Sequence, residues 1–140
     1  MKRALLAAVC VAFATTAAAQ VPPTTSEAAS YTGLLAAASR GDAAAIADAG
    51  PAALEARDTH GRTPLHVATF ARRHNVIRAL AKAGATLGAF DHDRYDAVTI
   101  AAVADDEATL ALLLELGASA ALTTSRYDGT ALIAAAHLGH

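Results

Sequence analysis

Six histidines, His60, His66, His74, His92, His137 and His140, are the side chains in this chain best suited to ligate a metal or move a proton. None of them falls into H-E-x-x-H or another short ligand spacing, so the pattern predicts no metal centre. Asp105, Asp106 and Glu107 form an acidic run that could attract a cation. Placed ahead of an apolar stripe, the same run reads as a capped helix start, where negative charge is favoured. No Ser/His/Asp order with a nucleophile elbow appears, nor a glycine-rich phosphate loop, nor paired carboxylates in a recognisable setting. The expectation is a protein without catalytic residues and without a cofactor, hence not an enzyme.

Chemistry of recognition is better represented. Three short polar stretches carry Thr59, His60 and Arg62, then His92, Asp93, Arg94 and Tyr95, then Arg126, Tyr127 and Asp128. Arg and Tyr are enriched at protein interfaces because each joins a broad apolar face to a polar end. His60, Arg62, His92, Asp93, Arg94, Tyr95, Arg126 and Tyr127 are therefore the candidate partner-binding residues. His60 and His92, on successive turns, are the nearest approach to a histidine pair.

These stretches must be positioned by something, and the sequence repeats. Asp58 to Ala68 reads DTHGRTPLHVA; Asp58 is echoed by Asp91 and Gly84-Ala85 by Gly117-Ala118, each at a spacing of 33 residues. Leu65, Val98 and Leu132 hold the register with steps of 33 and 34. Thr63 is placed to cap a helix, and Pro64 at its first position forfeits no hydrogen bond. Leu65 and Ala68 then face inward, the small Ala permitting a close neighbour. Asp96 and Ala97 replace Thr63 and Pro64 one period later, keeping a capping oxygen but losing the fixed proline φ.

A period of this size with the T-P-L-H-x-A core of Thr63, Pro64, Leu65, His66 and Ala68 resembles the ankyrin repeat. The resemblance covers roughly Leu34 to His140. It implies an all-α fold, a solenoid of stacked helix-turn-helix units joined by β-turn loops. It also implies that His66 hydrogen-bonds neighbouring turns. Partners of the family bind the concave strip formed by turn tips and first helices. Arg72-Arg73 stands where the family usually has Gly-His, so the turn between those helices is expected to differ.

The units are expected at 31–57, 58–90, 91–123 and 124–140, the first atypical and the last incomplete, as in a fragment that ends mid-repeat. Helices are expected over Leu34–Arg40, Ala43–Ala49, Pro64–Arg72, Asn75–Ala83, Ala97–Ala104 and Glu107–Leu116. Val76, Ile77 and Leu80 form one buried stripe, and Leu110, Leu113 and Leu114 another. The hydrophobic fraction is 54% with only 4% aromatic residues, and much of it is alanine. That composition suits thin helical layers packed closely rather than a deep core.

Residues 1–19 read as a secretory signal: Lys2-Arg3, an apolar run from Ala4 to about Thr16, and Ala17-Ala18-Ala19 as the cleavage site. Val9 is too bulky to precede a lipidated Cys10. Cleavage removes the only cysteine and two of the 11 basic residues, leaving 9 against 13 acidic and a net charge of −4. A mildly acidic chain argues against nucleic acid and anionic membrane as partners, and no membrane span follows the signal. Residues 20–30, rich in Pro, Ser and Thr, read as a flexible leader. The reading that follows is an exported, periplasmic or secreted, non-catalytic module binding an unidentified protein. The alternative is a periplasmic metal- or small-molecule-binding protein using the histidines and acidic residues.

Overall fold

The computed structural model describes residues 20–124 and 129–139. Among them every regular element is a helix, and Thr124 and Gly129 form only an isolated antiparallel bridge. The signal segment, together with Arg126 and Tyr127, lies outside the described residues. In chain order the helices are α1 (Thr25–Ser30), α2 (Gly33–Arg40), α3 (Pro51–Leu54), α4 (Pro64–Phe70), α5 (His74–Ala83), α6 (Ala97–Val103), α7 (Glu107–Glu115) and α8 (Ala131–Leu138).

Helix starts follow the capping residues. Asp96 accepts the Thr99 N–H at 2.8 Å, and Asp106 accepts the Thr109 N–H at 3.2 Å. Pro64 opens α4 at its first turn behind an extended Thr63. The expected helix over Ala43–Ala49 is instead a single 3-10 turn, Ala44–Ile46, followed by α3. Gly50 before Pro51 is driven to extended φ/ψ, and Pro51 then begins a new short helix.

Packing is pairwise and serial. α4 lies against α5 and α6 against α7, while α2, α4, α6 and α8 touch in that order. Alanines make this possible: Ala37, Ala38, Ala68, Ala97, Ala101 and Ala102 are all buried between the helices of that series. The larger side chains, Ile46, Leu65, Val76, Ile77, Leu80, Val98 and Leu113, fill the space behind them.

Two expectations about burial change. In α7 the buried positions are Thr109, Leu112 and Leu113, while Leu110 is half-buried and Leu114 is 43% exposed. Thr109 faces inward, where its hydroxyl lies 2.6 Å from Asp106 Oδ2 and 2.8 Å from His74 Nε2. Leu132 does not share the setting of Leu65 and Val98: it is 77% exposed against 1% and 0%. α8 packs on α6, and no described helix covers its other side.

The supposedly flexible leader is also ordered. Thr24 and Glu27 form a reciprocal capping box, Glu27 N–H to Thr24 Oγ1 at 3.2 Å and Thr24 N–H to Glu27 Oε2 at 2.7 Å. That satisfies two orphan donors and starts α1 in a segment with no apolar stripe of its own.

Candidate interaction site

The turns at 58–62 and 91–95 share one backbone design. In the first, Asp58 Oδ1 accepts the N–H groups of His60 and Arg62, both at 2.9 Å, and Asp58 N–H donates to the Arg62 carbonyl at 3.1 Å. In the second, Asp91 Oδ1 accepts from Asp93 at 3.0 Å and Tyr95 at 2.9 Å, and Asp91 N–H donates to the Tyr95 carbonyl at 3.0 Å. An Asp in this role supplies the acceptor that a turn otherwise lacks. The two turns are joined directly, His92 N–H donating to the His60 carbonyl at 3.0 Å. Gly61 sits between them at φ +74°, and a Cβ there would run into the His92 ring. Only glycine meets both demands.

His66 ties the helices to these turns. Its Nδ1 accepts the Thr63 N–H at 3.0 Å and lies 2.8 Å from the Thr63 hydroxyl, and its Nε2 lies 2.9 Å from the Tyr95 carbonyl. A carbonyl can only accept, so the proton is on Nε2 and the ring is neutral. Burial, the largest influence, pushes the His66 pKa below its ordinary 6.5. One period later Thr99 replaces His66, and its hydroxyl lies 2.7 Å from that of Thr124.

The candidate residues divide sharply. His60, His92, Asp93 and Arg94 are exposed along one edge of the two turns. Arg62 and Tyr95 are not part of any open surface, being 1% and 8% exposed. They occupy the same place in their turns, the residue just before the helix cap, and Arg62 is covered there by the N-terminal segment. The expectation that both belong to an accessible binding strip is corrected accordingly. The core motif Thr63, Pro64, Leu65, His66 and Ala68 is buried throughout.

Arg62 instead centres a network that the sequence did not announce. Its Nε donates to Asp58 Oδ2 at 2.6 Å, Nη1 to the Val21 carbonyl at 3.0 Å and Nη2 to Glu27 Oε1 at 2.8 Å. His60 Nδ1 stands 3.0 Å from the same Glu27 oxygen, and the Tyr31 hydroxyl donates to Asp58 Oδ2 at 2.7 Å. For Asp58, burial opposes ionisation, but hydrogen bonds from Tyr31 and Arg62 outweigh it and hold the carboxyl below its usual range. Glu27 is lowered to about 2, chiefly by the Thr24 backbone and hydroxyl donors, with Arg62 contributing. Burial and the bond to Asp58 raise the Tyr31 hydroxyl. The T-x-x-E pattern of Thr24 to Glu27 was the available signal for half of this network; nothing local marked Arg62 as its centre.

A second inter-unit link uses His74, whose Nε2 lies 2.8 Å from Thr109 Oγ1. That hydroxyl donates to Asp106 Oδ2 at 2.6 Å, so it accepts from His74, and Arg72 Nε lies 3.3 Å from the same carboxylate oxygen. The acidic run thus serves a helix cap and an ion pair. Among the described residues no three His, Cys, Asp or Glu side chains converge as a metal site would require. The His137 side chain and His140 fall outside the described part of the chain.

Gln20 and Pro22 also line a cleft of about 270 Å³, together with Thr69, Phe70 and Arg72 and with Ile100, Val103, Ala104 and Asp106. The surface there is the C-terminal half of α4 and α6. No helix among the described residues is long and apolar enough to cross a membrane. No protein-family model matches the chain, and no curated protein matches it in sequence.

Proposed function

We propose that this chain is an exported repeat protein of the ankyrin type that binds a partner protein and performs no chemistry of its own. The observation that carries the reading is the pair of matched turns: two loops one period apart, built on the same aspartate-centred hydrogen bonds and joined through His92 N–H to the His60 carbonyl. Such loops present side chains at fixed spacing while their backbone needs are met internally, which lowers the ordering cost of binding. The face consists of His60, His92, Asp93 and Arg94 at the tips, all exposed. The order of contact among α2, α4, α6 and α8 supports a stacked array, and the Ala17-Ala18-Ala19 site supports export.

The test is capture from the exported fraction with the full mature chain. His92→Ala with Arg94→Ala should abolish capture of a partner that survives Arg78→Ala with Lys82→Ala on the far helix α5. Equal capture by both double variants would remove the tips from the interface.

A further inference from the structure

The N-terminal strap, residues 20–31, abuts the first turn of the proposed binding face, where Glu27 stands 3.0 Å from His60 at the tip. Val21 and Glu27 both reach Arg62 in the first turn, Tyr31 reaches Asp58, and Gln20 with Pro22 lies over α4 and α6 at the cleft. We propose that residues 20–31 are an intramolecular ligand of that face. An outside partner gains entry by presenting the same chemistry: a proline-containing extended segment running into a capped helix start whose glutamate reaches Arg62. The inference rests on the interface reading above.

The strap is built to be replaceable. None of the residues of α1 is buried, and Val21, Pro22, Thr24, Thr25 and Ser26 are exposed. Apart from Tyr31, which packs against the core, its attachment is polar and runs through a few side chains, the kind of segment that opens ahead of the rest of a protein. The Nε2 of Gln20 is buried without a hydrogen-bond partner, a cost carried only while the strap is seated. Release does not strand the arginine. Arg62 keeps its 2.6 Å bond to Asp58, so the open form retains a paired charge at the bottom of the socket. What it loses are the Glu27 carboxylate and the Val21 carbonyl, one charged and one backbone acceptor. A peptide in extended conformation entering a helix supplies both. Glu27 is also well pre-arranged: one oxygen serves the Thr24 N–H and the other faces Arg62 and His60, so capping the helix and reading the socket are one arrangement.

The experiment uses the full mature chain and a labelled peptide with the sequence of residues 20–31, followed by fluorescence anisotropy. Glu27→Ala weakens the strap in cis, and the expected result is binding of the peptide at least tenfold tighter than to the unaltered chain. A peptide with alanine at the glutamate position should lose that binding. Equal binding to both chains, or to neither, overturns the proposal. Should Glu27→Ala misfold, native-state hydrogen exchange on the unaltered chain decides. The Ala28 and Tyr31 amides, bonded within the strap, should exchange through an opening nearly independent of denaturant, while those of Ile77 and Leu80 follow global unfolding. Strap amides that exchange only on global unfolding overturn it. If tip variants abolish partner capture and Glu27→Ala leaves it unchanged, the interface stands and the strap proposal falls. If the peptide binds as described and tip variants change nothing, the reverse holds.

Discussion

At the scale of single residues, the imidazole of His66 is fixed in one protonation state by its neighbours. Nδ1 accepts the Thr63 N–H and Nε2–H donates to the Tyr95 carbonyl, so a second proton would have to displace a bond in a buried site. The folded pKa is depressed while the unfolded chain keeps its ordinary value of 6.5. Below that value the unfolded state binds more protons than the folded one, and stability falls as pH falls. Urea midpoints should therefore decline from pH 7 toward pH 5, and His66→Thr, which copies Thr99, should flatten that decline. A second loss should begin near pH 4.5, where the lowered carboxyls of Glu27, Asp58 and Asp106 take up protons on unfolding. Arg62→Met tests the other buried polar centre. It leaves Asp58 facing Tyr31 without its cation and should cost about 3 kcal/mol in chemical denaturation.

Between helices, the two inter-helix turns carry the same anomaly. Arg72 and Asp105, 33 residues apart, have φ of +54° and +52°, a left-handed conformation that side chains disfavour. The departure from Gly-His at Arg72-Arg73 alters the residue but not the need for positive φ. Asp105→Gly should raise stability by about 1 kcal/mol, a rise in melting temperature being the readout. In Arg72→Gly the same gain is partly offset, because the change removes the contact to Asp106. Helix starts behave in the opposite sense. Asp96→Ala deletes the only side-chain cap that α6 has in place of the Thr63-Pro64 pair, and should cost about 1 kcal/mol.

At the scale of the molecule, the described helices α2, α4, α6 and α8 pack in series, and behaviour follows from how each is covered. α4 and α6 have neighbours on both sides, so Leu65 and Val98 are sealed, whereas Leu132 and Ile133 on α8 stand 77% and 60% exposed. Ile77→Ala, in a middle layer, should cost about 3 kcal/mol, while Leu132→Ala should change stability by less than about 0.5 kcal/mol. The strap belongs to this scale too, since it spans from the α2 side to the cleft over α6.

Periodicity made the elements legible. Turn, cap and helix recur because a 33-residue spacing repeats the same local demands, so Pro64–Phe70, His74–Ala83, Ala97–Val103 and Glu107–Glu115 all fall within a few residues of the expected ranges. The all-helical class was readable for the same reason: capping and apolar spacing are local information. The facing of individual side chains was not. Arg62 and Tyr95 look like interface residues by type; both are buried one step before a helix cap, and Arg62 is covered there by Val21 and Glu27, far off in sequence. Leu114 stands exposed while Thr109 takes a buried place, its hydroxyl bonded to Asp106 and to His74, which is 35 residues away. Residues 20–31 carry no apolar pattern, so nothing local binds them to the body. Their attachment is decided by a buried guanidinium 35 residues beyond Glu27 and by the tertiary fold that brings Arg62 within its reach.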